Sequence, residues 1–172
     1  EQWLALLHQL PAKPPYLRVK IWRRLQAIGA VPLKNAVHVL PRREETEAAF
    51  RDLLGEVTNS GGEAVLINAQ MIEGQSDAEL RGLFDAARDA DYDEVALAAH
   101  RLLDTGPTSG AEIAKLQRRL SEIVRLDFFG AHGRQGAEAA LRELGEKRYA
   151  HPDVGRTGEA AAFSPADLKN RV

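Results

Sequence analysis

The sequence predicts an α+β fold, in which an N-terminal ferredoxin-like βαββαβ sheet is followed by a C-terminal group of α-helices. In the first 75 residues, short apolar runs of strand length alternate with two amphipathic helical patterns. From residue 76 onward the apolar side chains recur only with helical spacing. We therefore expect a ferredoxin-like domain with a basic helix at 1–75, a helical domain at 76–150 and a mobile tail at 151–172.

Each element of the first half has a local signal. The predicted order is a strand at 2–9, a helix at 16–28, strands at 30–33 and 36–40, a helix at 44–57 and a strand at 64–72. Gly29 suits the left-handed residue that closes a helix, and Asn35 tolerates the backbone of a two-residue hairpin turn. Pro32 cannot donate to a ladder, so its strand should lie at an edge or contain a bulge. The nearly continuous apolar run AVLINAQMI at 64–72 predicts a buried strand.

The second half is predicted to be helical at 77–91, 92–103, 111–126 and 135–149. Ser109 precedes the third of these helices and is placed to cap it. Beyond residue 151 the periodicity fades, which is typical of a mobile terminus.

The helix that begins near Tyr16 has two distinct faces. Its apolar residues recur every third or fourth position and form one narrow stripe, comprising Leu17, Ile21, Leu25 and Ile28. Lys20, Arg23 and Arg24 project together from the opposite side. Arg18 falls at the border of the stripe, where we expect it to be partly buried.

Charge is polarised along the chain although the net charge is only −2. Positions 1–43 carry +7, positions 44–100 carry −11 and positions 101–172 carry +2. A basic block of this size is a plausible footprint for a polyanion such as nucleic acid. Neutralisation of the basic block by the acidic one, within the fold or across a dimer, explains the same pattern, and the two interpretations stand side by side.

Composition narrows the chemistry. The chain has no cysteine, which excludes disulfides and thiolate metal sites from it. No apolar run approaches the length of a membrane span, and a cytoplasmic location is the simplest expectation. The sequence has no P-loop, no GxSxG and no dinucleotide or flavin signature, so we expect no enzyme, no catalytic residues and no cofactor. The histidines lack the spacing of metal ligands, so no metal site is predicted.

Two separated stretches resemble one protein family. They read LPAKP at 10–14, YLRVK at 16–20, WRRL at 22–25, GAV at 29–31, KN at 34–35 and VLP at 39–41, then DFFG at 127–130 and GR at 133–134. These motifs are similar to the N-terminal domain of the ChrB family, regulators of bacterial chromate-resistance operons. The resemblance implies a transcriptional regulator that binds its own operator DNA, as a homodimer, and that responds to chromate.

Two sets of residues are the candidate binding sites. The cations expected to contact the DNA backbone are Lys13, Lys20, Arg23, Arg24, Lys34, Arg42 and Arg43. The cations expected to surround a small oxyanion such as chromate are Arg18, Arg125, His132 and Arg134. A bound oxyanion would compete with phosphate for cations, or change the dimer geometry, and thereby weaken the DNA complex.

Two other functions fit the sequence. An oxyanion-binding accessory protein would bind chromate and have no DNA affinity. A metal-dependent nuclease on a ferredoxin-like core would use acidic residues of the run at 85–94 to hold Mg²⁺, although an exposed helix junction explains that run equally simply.

Overall fold

The computed structural model describes residues 2–106 and 108–150, with side chains described up to residue 147. Its strands are β1 (Trp3–Gln9), β2 (Val31–Lys34), β3 (Val37–Pro41) and β4 (Glu63–Ala69). Its helices are α1 (Tyr16–Ala27), α2 (Glu44–Asn59), α3 (Asp77–Asp104), α4 (Gly110–Leu126) and α5 (Arg134–Ala150). The predicted tail at 151–172 lies outside the described residues.

The four strands form one antiparallel sheet in the order β2-β3-β1-β4. The α+β class predicted from the sequence is confirmed, whereas the ferredoxin-like assignment and the domain boundaries stay predictions. Within the described residues no helix combines the length and the hydropathy that a membrane crossing requires.

Alternation along β1 places helices on both faces of the sheet. Leu4 lies on one face, where it shares a surface depression with Leu54 of α2. Trp3 lies on the opposite face, where its ring stacks on Phe84 of α3 at a centroid distance of 5.7 Å. The indole N–H of Trp3 donates to Asp77 at 2.7 Å. The N-terminal part of α3 therefore belongs to the packing of the sheet.

Local backbone chemistry at three predicted positions is confirmed. Gly29 has φ +74° and closes α1, and the Ala30 N–H donates to the Leu25 carbonyl. A Cβ at Gly29 would lie 3.2 Å from the Phe128 side chain, so the absence of a side chain here also lets Phe128 approach closely. Asn35 has φ 44° in the hairpin turn. Pro32 lies on an edge strand at the point where the register shifts.

The helical part contains one long helix where the sequence predicts two. Residues 77–91 and 92–103 belong to the continuous 28-residue α3, since neither proline nor glycine interrupts Asp91-Tyr92. Ser76 with Glu79 caps α3, and Ser109 with Glu112 caps α4, each as a reciprocal capping box. The predicted cap at Ser109 is thereby confirmed.

Two buried cores divide the described part of the chain. The first lies between the sheet, α1, α2 and the start of α3, and includes Leu80 and Phe84. The second lies between the rest of α3, α4 and α5, and includes Tyr92 and Leu103. Phe128 and Phe129, which follow α4, pack back onto the first core. Helix α3 therefore contributes to both cores.

The strand predicted at 64–72 is present, but the expectation that it is buried is wrong. Strand β4 ends at Ala69 and occupies an edge of the sheet. Val65 and Ile67 are 56% and 43% exposed, and Ile72 beyond the strand is 95% exposed. Val65 and Ile67 are open because Trp3, which pairs with Ala69 at the C-terminal end of β4, meets Phe84 beyond them on the same sheet face.

Candidate functional site

The outward face of α1 mixes cations with large apolar side chains. Leu17, Ile21 and Leu25 are buried against the sheet, as the apolar stripe predicts. Tyr16, Val19 and Trp22 are 68%, 49% and 56% exposed. An aromatic pair on an exposed helix face has no role in the core of this chain. We call the face formed by Tyr16, Arg18, Val19, Trp22 and Arg23 the α1 outer face.

Arg18 does not have the partly buried position expected from its angle on the helix. Its side chain is exposed, because the neighbouring Trp22 is itself exposed and leaves the border of the apolar stripe open. The guanidinium of Arg18 is thus available to solvent on the α1 outer face.

Two of the three cations predicted to share one side of α1 are held by a single acid of α2. Lys20 Nζ lies 2.7 Å from Glu56 Oε1, and Arg24 Nε lies 3.2 Å from Glu56 Oε2. The hydrogen bond from Lys20, reinforced by Arg24, lowers the pKa of Glu56. Arg23 has no ion pair among the described residues. The basic and acidic blocks of the sequence therefore neutralise each other in part.

The remaining predicted DNA contacts differ in their freedom. Arg42 donates to the Gln2 side chain at 3.0 Å. Arg43 donates to the backbone carbonyl of Phe128 at 2.8 Å. Its guanidinium carbon also lies 5.2 Å from the centroid of the Phe128 ring. Lys13 and Lys34 are exposed. Arg43 thus fastens the start of α2 to the chain after α4.

A groove of about 630 Å³ opens beside α1, where the ends of α1 and α4 meet α2 and α3. Its charged lining consists of Arg23, Arg88, Arg119, Arg125, Glu45, Asp91 and Glu122. Its apolar lining includes Ile28, Leu126 and Phe128. This groove could not be predicted from the sequence, because its lining residues on α1 and α4 lie about a hundred residues apart.

The four predicted oxyanion ligands do not share one surface feature. Arg125 lines the groove, whereas Arg18, His132 and Arg134 are not among its lining residues. Arg134 pairs with Glu138 one turn along α5, with Nε 2.8 Å from Oε1. His132 is exposed. Arg125 thus lines the same groove as Arg23 of the α1 outer face.

The loop after α4 is held by acids that sequence inspection did not single out for that role. Asp127 Oδ1 accepts the N–H groups of Gly130 and Ala131 at 2.9 and 3.0 Å, and its Oδ2 accepts the Tyr92 hydroxyl at 3.0 Å. Asp89 accepts the Gly133 N–H at 2.7 Å. Burial and the bond to Asp127 raise the pKa of Tyr92 above its usual range. The DFFG motif therefore builds a fixed turn that sends both phenylalanines into the sheet core.

Two of the five acids in the run at 85–94 are engaged in the fold. Asp91 pairs with Arg88 at 2.8 Å and with Arg119 at 3.1 Å, and Asp89 binds the loop after α4. Among the described residues no group of three or more histidine, aspartate or glutamate side chains is placed to hold a metal ion.

Two histidines meet across the sheet in a way that their sequence spacing conceals. His8 Nε2 and His38 Nδ1 lie 3.3 Å apart, on neighbouring strands β1 and β3. Burial lowers the pKa of His8, and burial together with the proximity of His8 lowers the pKa of His38 to about 4. The pair is therefore uncharged at neutral pH.

We expect this pair to make the protein less stable in mild acid. In the unfolded state His38 takes up a proton near pH 6.5, whereas in the folded state it does so only near pH 4. The free energy of unfolding therefore has its full value above pH 6.5 and falls as the pH drops towards 4. Urea unfolding at pH 7.5 and 5.0 should show that His38→Gln removes about 1–2 kcal/mol of the acid-induced loss. An unchanged loss in the variant would refute the assignment.

Comparison with known protein families gives a match over the part of the chain that holds α1, α2 and most of α3. The family model described as "Protein ChrB, N-terminal" matches residues 18–103, half of the chain, from α1 through nearly all of α3. The chain belongs to the ChrB family. The resemblance seen in the sequence motifs is thereby confirmed. The matched range includes Arg23 of the α1 outer face, Glu56, which pairs with Lys20 and Arg24, and the groove-lining residues Arg88 and Asp91.

A curated relative extends the similarity beyond α3. The chain is 27% identical over 147 residues to Protein ChrB of Cupriavidus metallidurans. The alignment covers 83% of this chain and 45% of that protein. The chain thus spans about half the length of the ChrB protein that it matches.

Proposed function

We propose that this chain is the DNA-binding part of a chromate-responsive transcriptional regulator, which binds the operator of its own chromate-resistance operon as a homodimer. The observation that carries the proposal is the α1 outer face, where exposed arginines alternate with exposed aromatic and aliphatic side chains. Membership in the ChrB family supports the regulatory role.

The α1 outer face has the chemistry that duplex DNA requires. Arg18 and Arg23 are exposed and have no ion pair among the described residues, so they can bind phosphates or guanine edges. Tyr16, Val19 and Trp22 can contact sugars, bases and thymine methyl groups. At 12 residues α1 is about 18 Å long, a size that the major groove accepts.

The wider basic surface contributes unequally. Lys13 and Lys34 are exposed and can reach a backbone phosphate without breaking another contact. Lys20 and Arg24 would first have to leave Glu56, and Arg43 would have to leave the Phe128 carbonyl. We therefore place the DNA contact on the α1 outer face and treat the other cations as secondary.

We also infer that the sheet with α1 and α2 is a ferredoxin-like unit. Strand β3 lies between β1 and β2, and β1 lies between β3 and β4, so each βαβ segment is split by an antiparallel strand. This arrangement supports the assignment to the split βαβ class. The regulator needs no catalytic residue, and chromate enters the proposal as an effector rather than as a substrate.

The proposal is tested by fluorescence anisotropy with a duplex from the gene's own upstream region. A scrambled duplex, several salt concentrations, and chromate against sulfate complete the design. We expect preference for the upstream duplex and release by chromate but not by sulfate. Equal affinity for the two duplexes at every salt concentration would overturn operator binding, and the accessory oxyanion-binding function would replace it.

Two substitutions should change DNA affinity in opposite directions. We expect Arg23→Gln to weaken binding about five- to tenfold per protomer and to reduce the salt slope by about one per protomer, because each protomer of the dimer loses one cation from the interface. Glu56→Gln should tighten binding, because it releases Lys20 and Arg24. The matched control is Arg118→Gln on exposed α4, which should have wild-type affinity. Equal losses in the two arginine variants would refute the assigned face.

A further inference from the structure

The groove collects arginines from both halves of the chain. Arg23 comes from α1, Arg88 from α3, and Arg119 and Arg125 from α4. Neither Arg23 nor Arg125 has an ion pair within the described residues. The groove is therefore bordered by two arginines that are not neutralised. Their guanidinium groups present planar hydrogen-bond donors and no acceptor.

The other two arginines are already paired with acids, although two donors of Arg88 lack a partner. Asp91 holds Arg88 at 2.8 Å and Arg119 at 3.1 Å, and Glu122 lies 3.8 Å from Arg119. The Arg88 side chain is only 11% exposed, and its Nε and Nη1 atoms are buried without a hydrogen-bond partner. Enclosed donors without an acceptor are costly, so this wall of the groove favours a ligand rich in acceptor oxygens.

Other charges at the groove act in both directions. Glu45, in the first turn of α2, also lines the groove and repels an anion. The carboxyl ends of α1 and α4 face the groove with about half a negative charge each, whereas the amino end of α2 offers about half a positive charge. Two full positive charges on Arg23 and Arg125 outweigh this balance close to their guanidinium groups.

We infer that the groove binds a tetrahedral oxyanion, held between Arg23 and Arg125. Each guanidinium donates to the ligand's oxygens, and a small shift of Arg88 would bring its free donors to the same ligand. Because Arg23 also belongs to the α1 outer face, a bound oxyanion withdraws that residue from DNA. This competition rests on the proposed DNA-binding function, whereas the anion site itself does not.

An oxyanion group can reach the groove from two sources. A free inorganic oxyanion, such as chromate, sulfate or phosphate, would enter alone. A backbone phosphate of bound DNA would enter only with its duplex. Both offer the same acceptor oxygens to Arg23 and Arg125, so the test has one arm without DNA and one with it.

The arm without DNA is isothermal titration calorimetry of the full chain at low ionic strength, with chromate, sulfate and phosphate titrated separately. The arm with DNA measures the affinity of the same variants for the upstream duplex by fluorescence anisotropy. We expect one chromate per chain and markedly weaker binding of sulfate, as the release of DNA by chromate and not by sulfate requires. Arg125→Gln should lower the affinity about tenfold or more, because a charge-assisted contact is lost. Arg118→Gln, on the same helix but not among the groove-lining residues, should stay within about twofold of wild type. Glu45→Gln should tighten binding about threefold, because a repelling charge is removed.

The outcomes separate this inference from the proposed function. Equal losses in the Arg125 and Arg118 variants, or no binding of any free oxyanion, would overturn the free-anion site. If Arg125→Gln then lowered only DNA affinity, the groove would be assigned to a backbone phosphate and the inference of a free ligand would fail. Specific anion binding by a chain that has no DNA affinity would establish the anion site. The same result would overturn the proposed regulator function.

Discussion

Replacing Phe84 by alanine is expected to destabilise the protein by about 3–5 kcal/mol, the largest effect of any single substitution considered for this chain. The Phe84 ring is 2% exposed and stacks on Trp3. It also meets Phe128 and Phe129 edge-on, at centroid distances of 5.9 and 5.5 Å. Truncation would therefore leave a cavity at the point where α3, the sheet and the DFFG loop meet.

Urea unfolding followed by circular dichroism measures this loss. Leu83→Ala is the matched control, because Leu83 is the preceding residue of α3 and is 41% exposed, and it should cost less than about 1 kcal/mol. If Phe84→Ala does not fold, Phe84→Leu keeps most of the volume and should cost about 1–2 kcal/mol. A Phe84 variant as stable as the Leu83 variant would contradict the described packing.

Replacing Asp127 by alanine is expected to cost about 2–4 kcal/mol. The carboxylate accepts hydrogen bonds from Gly130, Ala131 and the hydroxyl of fully buried Tyr92. Its loss leaves the Tyr92 hydroxyl and the Ala131 N–H without an acceptor in places that water does not readily reach. The turn that presents the Phe128 carbonyl to Arg43 should loosen at the same time.

Thermal unfolding and hydrogen exchange at Gly130 and Ala131 test this role. Tyr92→Phe removes one of the bonds and should reproduce about 1 kcal/mol of the loss. Asp93→Ala, at an exposed position of α3, serves as the control and should change stability by less than about 0.5 kcal/mol. Unchanged exchange at both amides in Asp127→Ala would show that the turn does not depend on the carboxylate.

Features set by neighbouring residues could be predicted from the sequence. Gly29 and Asn35 have the positive φ angles that their turns require, and Ser109 caps the helix that it precedes. Pro32 lies where a strand can dispense with a donor. Each of these outcomes depends on steric or hydrogen-bonding preferences within a few residues, and those residues can be identified from a single sequence.

Features set by distant residues could not be predicted in the same way. The run at 64–72 is apolar enough for a buried strand, but its burial depends on what covers the sheet, and Val65 and Ile67 remain open. A helical projection groups Lys20 with Arg24 correctly and cannot show that Glu56 neutralises both.

The candidate site shows the same division. The sequence predicts that Arg23 contacts DNA and that Arg125 contacts an oxyanion, yet only the fold shows that they border one groove. The role of Asp91 in holding Arg88 and Arg119 depends on how α3 meets α4. The His8–His38 contact likewise arises from strand pairing, across 30 residues of sequence.

The continuity of α3 has a mechanical consequence. A helix of 28 residues is a stiff rod about 42 Å long, and its two ends are fixed in different cores. A tilt of about 5° around one end would displace the other by about 4 Å. Arg88, near the middle of the rod, is attached through Asp91 to α4. If one end of α3 stays fixed, a small displacement at Arg88 would therefore produce a larger displacement at the other end of the helix.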